Sequence, residues 1–521
     1  MAGIVRLLLI LALAALLPAC ATLRTDAPKV ASHALAPDPQ APLGQIAGRV
    51  LDPAQASSFR LLESGRAALA ARLALAHRAT RSLDLQYYLF HADVSGRVLV
   101  DALLKAADRG VRVRVLLDDV DTAASEGAII ALDAHKNVQI RLYNPFRVRG
   151  NSPLGRAMEF LGDKERLNRR MHNKLFLADN HFGITGGRNI GDEYFQLEHD
   201  VAFRDLDVLA AGETVRDMSA AFDAYWNSEH SVPARAIPYE GRRQTLLEER
   251  REALQAHRDQ VLAYMASFLD LDTLSGGPVT GLGPWTPGRA ELILDDPDKT
   301  AGNAGAGEAP IARLKRMGQE ARAEVLIASP YFVPRETGAA FLGGLAGRGV
   351  RVRILTNSLA ANDVGVVHAG YARYRLPLLA AGVEINELKP SKQAPGVRIM
   401  TTRGSSRASL HSKAMVVDRE QVYVGSMNLD PRSAWLNTES GLLIRSPELA
   451  GQVARFIEAD MSPEQSYSVR IEPAGDPPQD RLVWLEQQGG REVRHIQEPR
   501  AGLLRRLLIH LIGLLPIEDE L

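Results

Sequence analysis

Cysteine is almost missing from this chain: its 521 residues contain one, Cys20. A single thiol excludes an intrachain disulfide framework and a cysteine-ligated metal cluster. An excess of charge is missing too, with 62 lysines and arginines against 62 aspartates and glutamates, so no basic footprint points to nucleic acid. No apolar run reaches the ~20 residues of a bilayer-crossing helix, and no H-E-x-x-H pair offers a zinc site. What remains is ordinary globular composition, 46% hydrophobic and 24% charged, with length enough for two cores.

The ends of the chain differ from its middle. MAGIVRLLLILALAALLPACATLR has an early Arg6, an apolar run from Leu7 to Leu17 and small residues before Cys20, the pattern of an export signal. Leu17-Pro18-Ala19-Cys20 resembles the lipobox of bacterial lipoproteins, which implies lipidation of Cys20 and an envelope protein facing the periplasm. Ala21, by resemblance to the sorting rules of enteric bacteria, points to the outer membrane. Residues 21–55, rich in Ala and Pro, read as a tether after 1–20. At the other end, LLRRLLIHLIGLLPI (Leu503 to Ile517) is too short to span a bilayer. It reads either as an interfacial helix with Arg505 and Arg506 reaching headgroups or as a helix packed on the domain.

The middle is written twice. Gly110-Val-Arg-Val-Arg-Val-Leu116 returns as Gly349-Val-Arg-Val-Arg-Ile-Leu355, 239 residues later, and His172 to His411, Asp179 to Asp418 and Gly186 to Gly425 keep that spacing. Two copies of one unit explain this. Each copy alternates strand-like and helix-like runs, SLDLQYYLF, SGRVLVDALLKAADRG and VRVRVLLDD in the first, which argues for an α/β architecture in each half. The Arg-Val alternation reads as a strand with one wet face. The halves take residues 56–234 and 311–465, joined by a connector at 235–310 with a polar helical run and a Gly/Ala loop, and followed by a tail at 466–521.

Both copies carry H-x-K-x4-D and then G-(G/S)-x-N, in MHNKLFLADNHFGITGGRN and LHSKAMVVDREQVYVGSMN. Residues two apart on a strand share a face, so His172 points with Lys174 and His411 with Lys413. Asp179 and Asp418 complete the motif but fall on the other parity where the strand ends, and are expected to support the turn. The following turn, with Gly187, Asn189, Ser426 and Asn428, has N–H groups and amides suited to phosphate oxygens. Two imidazoles and two ammonium groups facing each other are the parts of phosphodiester cleavage. One histidine attacks phosphorus, the other protonates the leaving alkoxide, and the lysines stabilise the pentacoordinate transition state. This chemistry needs no metal and no cofactor, and a lysine beside each histidine would repel a dication. A carboxylate should fix each imidazole's tautomer. Glu439 is one candidate, and of Asp205 and Asp207 in the first half the reading favours Asp207.

These motifs resemble those of the phospholipase D superfamily. RLNRRMHNKLF, GGRNIGDEYF, LTNSLAANDVGVVHAGYARYR and GSMNLDPRSAWLNTE resemble bacterial cardiolipin synthases of the C type within it. The resemblance implies two pseudo-symmetric α/β halves around one shared site. It also implies transfer of a phosphatidyl group between phospholipids, with phosphatidylglycerol and phosphatidylethanolamine as the expected pair at a membrane surface. His172 would be the nucleophile and His411 the acid/base, with Lys174, Lys413, Asn189 and Asn428 at the phosphate. Rival readings are a lipid hydrolase, an exported nuclease and a silent lipid-binding scaffold; no protein partner is indicated.

Overall fold

The computed structural model describes residues 22–150, 152–196, 203–256, 284–303, 308–362, 364–390, 410–474 and 479–514. Cys20 and its signal-like context, and the chain beyond residue 514, lie outside the described residues.

The first sheet contains β1 (Ser57–Leu62), β2 (Ser82–Tyr87), β3 (Arg112–Asp118), β4 (Val138–Tyr143), β5 (Leu175–Ala178), β6 (Phe182–Gly186), β7 (Asp207–Gly212), β8 (Ser231–Pro233) and β9 (Thr286–Leu294). Its order is β8-β4-β3-β2-β5-β6-β7-β1-β9, with β2, β3 and β4 parallel and the other pairs antiparallel. The second sheet repeats the plan with β10 (Glu324–Ala328), β11 (Arg351–Asn357), β12 (Glu384–Leu388), β13 (Ala414–Val417), β14 (Gln421–Gly425) and β15 (Ser440–Arg445). Here β10, β11 and β12 are parallel, and β13, β14 and β15 continue antiparallel from β10. The fold is therefore two α/β halves, as the repeat implied.

Strand β9 joins them. Its first residues pair with β1 through Phe59↔Thr286, and Arg289 to Leu294 pair with β15. The expected connector of helix and loop thus also contains a strand shared by both sheets; the Pro and Gly of TPGRAELIL mask its alternation in the sequence. Between the sheets lies a common core. Leu177, Val208 and Phe222 of the first half meet Val416, Leu442 and Ile457 of the second, all fully buried or nearly so. Each such side chain contributes about 1.5–3 kcal/mol, which holds the halves as one body.

Two expectations need correction. Residues 22–55 are no free tether: helix Pro42–Val50 buries Leu43, Ile46 and Ala47, and the preceding stretch straps the first half. Ser32 accepts from Trp226 Nε1 at 2.9 Å and its carbonyl accepts from Arg114 at 2.9 Å. That strap also explains why the arginine face of β3 is not wet. Arg114 is completely buried, paired with Asp84 at 2.6 Å and Asp223 at 2.8 Å, because the strap and helix Glu213–Asn227 cover it.

The tail adds β16 (Ser466–Ala474), β17 (Gln479–Gln488) and β18 (Arg491–His495), which extend the second sheet beyond β12. Helix Leu503–Ile512 then docks through Ile509 against Leu359, Ala369 and Ala501. Leu503, Leu504, Leu507 and Leu511 face solvent. Arg505 and Arg506 are half-buried: Arg505 donates to the Asn362 carbonyl and Arg506 to Gln497, so both guanidinium groups are tied to the protein while the leucines are turned out. Among the described residues no helix is long and apolar enough to cross a membrane.

Candidate active site

Strands β5 and β13 run antiparallel to β2 and β10, so the residues just before them lie at the C-terminal ends of the parallel strands. His172 and Lys174 lead into β5, and His411 and Lys413 lead into β13. Each segment is stapled to the opposite half. The His172 N–H donates to the Thr438 carbonyl at 2.9 Å, and the Thr438 N–H donates to the Arg170 carbonyl at 2.9 Å. Likewise the N–H groups of His411 and Ser412 donate to the Arg204 carbonyl at 2.8 and 3.0 Å. The residues that follow these staples are Glu439 and Asp205.

The carboxylates therefore cross over. His172 Nδ1 lies 2.9 Å from Glu439 of the second half, and His411 Nδ1 lies 2.6 Å from Asp205 of the first. An Nδ1–H donated to a carboxylate leaves Nε2 as the free lone pair. Glu439 is itself held by the hydroxyls of Ser426 and Ser433, the latter at 2.7 Å.

Asp207, favoured from the sequence, is a structural residue. Its carboxylate pairs with Arg72 at 2.9 Å, both side chains 1% exposed, and accepts from the Arg188 N–H at 3.2 Å. Parity misled because β7 begins at Asp207: Asp205 precedes the ladder and turns across the interface instead of lying under it.

The two pairs form one electrostatic unit. His172 and His411 are only 8% and 7% exposed. Burial, with Lys174 and Lys413 adding to it against Glu439, pulls His172 down to about 4. Burial and Lys413, opposed by Asp205, pull His411 down to about 3. Lys174 falls to about 7, chiefly through burial, with Lys413 lowering it further and Glu439 holding it up. Asp205 is held at about 2 despite its burial, by His411, Lys413 and Arg188. Each lysine acts on the other half's histidine, as groups around a single cavity must. At neutral pH the empty site therefore holds two neutral imidazoles. Aromatic rings fix their planes: Tyr88 stands edge-on to His172 at 5.0 Å, Tyr194 edge-on to His411 at 5.1 Å, and Phe203 stacks on His411 at 5.2 Å.

The remaining motif residues build walls. Asp179 and Asn180, and Asp418 and Arg419, take positive φ in two tight three-residue turns, a conformation in which Asp and Asn are enriched. The Asp179 carboxylate accepts the N–H groups of Thr80, Arg81 and Ser82 at 2.8 to 2.9 Å. That of Asp418 accepts those of Arg322, Ala323 and Glu324 at the same distances. Both sit at the far end of the strand from the histidines. The expected phosphate cradle is largely committed elsewhere: the N–H of Gly187 goes to the Leu206 carbonyl and that of Ser426 to Ser440. The Asn189 amide accepts from the Leu89 N–H at 3.2 Å and donates to the Tyr194 hydroxyl at 3.0 Å. Asn428 differs, since its buried Oδ1 has no hydrogen-bond partner. The G/S variation also has a cause. A Cβ on Gly187 would lie 2.1 Å from Asp205 Oδ1, whereas Ser426 uses its side chain to hold Glu439.

The sequence missed Arg204 and Thr438, whose carbonyls tie the halves together. Their spacing, 234 residues, departs from the 239-residue register, which hid the correspondence. Two histidine–carboxylate clusters among the described residues, His91-Asp93-Glu193 and Glu229-His230-Asp298, have ligand atoms close enough for an ion. Neither includes His172, Lys174, His411 or Lys413.

The family model described as "Cardiolipin synthase, PLD-like domain" matches residues 73–226 and 314–461. The chain is 39% identical over 472 residues to cardiolipin synthase C of Escherichia coli K12, covering 89% of this chain and 96% of that protein. It is 28% identical over 417 residues to cardiolipin synthase A of Pseudomonas syringae pv. syringae, covering 80% and 70%. Among solved structures, phosphatidylserine synthase of Haemophilus influenzae Rd KW20 superposes with a TM-score of 0.55 at 14% identity, over 81% of this chain and 92% of that one. That likeness speaks to the fold alone.

Proposed function

The chain belongs to the phospholipase D-like cardiolipin synthase family, and from that premise we propose that it is a phosphatidyltransferase that makes cardiolipin from two phospholipids. The observation that carries the reading is the pair of buried His-Lys groups, each histidine oriented by a carboxylate from the opposite half.

His172 Nε2 attacks the phosphorus of phosphatidylethanolamine, and the bond to the ethanolamine oxygen breaks. His411, as imidazolium, gives that oxygen its proton. The neutral His411 then takes the proton from a terminal hydroxyl of phosphatidylglycerol, whose oxygen displaces His172 from phosphorus. Cardiolipin leaves, ethanolamine has already left, and both imidazoles return to their starting state. Lys174, Lys413 and the Asn428 amide meet the non-bridging oxygens. His411 takes up the proton it needs from solvent as the substrate binds, because an anionic phosphodiester offsets the lysine charge that holds its pKa down.

The outward leucines of helix Leu503–Ile512 support contact with a membrane surface, and the lipobox-like stretch before Cys20 supports an envelope lipoprotein facing the periplasm, at the outer membrane. The test is mass spectrometry of lipids after incubating the purified protein with chelator in phosphatidylethanolamine and phosphatidylglycerol liposomes. Cardiolipin made by the intact protein and by neither His172→Ala nor His411→Ala supports the reading. Phosphatidic acid without cardiolipin replaces it with a hydrolase.

A further inference from the structure

The first half holds an apolar cleft that the transfer chemistry leaves unused. Its volume is about 390 Å³, within the range of small-molecule sites. One wall is a face of β3 and β4, with Val113, Val115 and Ile140; the other comes from three helices, Val94–Asp108 with Leu104, Glu126–Asp133 with Ile129 and Leu132, and Arg243–Ala256 with Leu254. Tyr88 and Asp118 also border it. The Tyr88 ring is the one that stands edge-on to His172, and Asp118 accepts the N–H of Met171, the residue before that histidine, at 2.8 Å. The cleft thus adjoins the His172 segment and continues between apolar walls.

The repeat shows that the fold does not force this opening. Helix Gly365–Ala372 stands 239 residues after Glu126–Asp133, which sets His368 in the place of Ile129 and Tyr371 in the place of Leu132. In the second half these side chains are locked in a polar knot. Tyr371 Oη and Trp484 Nε1 each donate to Glu387 at 3.0 Å, and Glu498 binds His368 at 3.0 Å and Arg375 at 2.6 Å. The equivalent space is filled there by bonded side chains and a segment of the tail, while the first half leaves it lined by aliphatic groups.

We propose that this cleft seats one acyl chain of the phospholipid whose phosphorus His172 attacks. Charged groups also line the cleft, His91, Arg97, Asp121 and Arg250 among them, but the space against β3 and β4 is bounded by aliphatic side chains, and a hydrocarbon chain needs only apolar area. The second half has an apolar pocket of its own, about 670 Å³ beside Phe332, Met415 and Leu429, so it is the place of the first-half cleft, against the segment that carries His172, that assigns the donor chain to it and makes it the part of the site that senses chain length. This assignment rests on the phosphatidyl-transfer reading above.

Two measurements test it on the full-length protein. The first is the ratio of turnover on long-chain to short-chain donor lipid, compared between the native protein and Ala128→Trp, which fills the cleft from a half-exposed position. Leu132→Tyr, which copies the second half, serves if the first variant does not fold by circular dichroism. The ratio is expected to fall at least tenfold, since a few methylenes in an apolar pocket command that much discrimination. The second is photolabelling with phosphatidylethanolamine carrying a diazirine in its acyl chain. Label on residues 94–108 and 126–133, lost in the variant, supports the proposal. An unchanged ratio in a folded variant, or label confined elsewhere, overturns it. Labelling by a diazirine fatty acid with an unchanged ratio also overturns it, by making the cleft a bystander lipid site. If the native protein transfers no phosphatidyl group at all, the function above fails, and the phospholipid label still reads whether the cleft holds a chain.

Discussion

Replacing Asp205 by Asn and, separately, Asp207 by Asn should split function from stability, although the two residues are neighbours in the chain and alike in chemistry. Asp205 lies 2.6 Å from His411 Nδ1 and supplies the negative charge that the imidazolium meets when His411 takes up a proton. The amide keeps the shape and removes the charge. Other His-Asp pairs lose up to about 10⁴ in kcat on this change. Asp205→Asn is therefore expected to lower kcat by ~10²–10⁴, equal to roughly 3–5 kcal/mol at 1.36 kcal/mol per decade. Asp207 instead faces Arg72, with both groups buried. Breaking such a pair costs about 3–5 kcal/mol of stability; the low end applies, because an Asn oxygen can still accept from Arg72, and Arg72 keeps its bonds to Tyr87 and the Ala68 carbonyl. Asp207→Asn should lower the unfolding midpoint while kcat per folded molecule stays within about threefold of native. Steady-state cardiolipin synthesis and denaturant unfolding on the same preparations read both effects. A kcat for Asp205→Asn within threefold of native, or a catalytic collapse in Asp207→Asn without loss of stability, would refute the crossed arrangement.

Binding of a phosphodiester anion at pH 7 should take up protons. Lys174, lowered to about 7 chiefly by burial, loses part of its charge near neutrality, and an anion raises it and both imidazoles together; calorimetry in buffers of different ionisation enthalpy measures the uptake. The sign then requires that affinity for the anion fall as pH rises through 7, so a flat profile from pH 6 to 9 speaks against the assignment. Asp179→Ala removes the acceptor for three N–H groups in a site 2% exposed and should cost about 2–4 kcal/mol. Asp418→Ala, in a more open turn, should cost less; denaturant unfolding orders the two. Gly187→Ala sets a methyl group against the Asp205 carboxylate and should lower kcat at least tenfold, with Ser426→Ala milder because Glu439 keeps Ser433.

Much of this architecture is legible in the sequence because a repeat constrains it. The two α/β halves follow from the shared 239-residue register, and the strand period puts each histidine with its lysine. What period and register do not encode is contact across the interface. Glu439 and Asp205 each serve the histidine of the other half, and no local pattern states that. Asp205 and Asp207 have the same parity, so only the start of β7 separates them. Residues 22–55 look like a tether because Ala and Pro there carry no periodicity, yet their carbonyls satisfy buried arginines that the sequence presents as a wet strand face. Strand β9 is hidden for the opposite reason, being an alternating run behind Pro287 and Gly288 whose two partners belong to different halves. The candidate cleft emerges only when the copies are compared in space, where Leu132 and Tyr371 occupy one position with opposite consequences.

The most direct test of the covalent step is to stop the reaction within one turnover in cold denaturant at weakly basic pH, which spares both the P–N bond and the acyl esters, using acyl-labelled phosphatidylethanolamine without an acceptor, and to map the covalent adduct by peptide mass spectrometry. The expected result is a phosphatidyl group on His172, absent from His172→Ala, that passes to cardiolipin when phosphatidylglycerol is added. Adduct on His411 would reverse the two roles. Cardiolipin formed in a single turnover with no adduct on either histidine would contradict covalent transfer at this site.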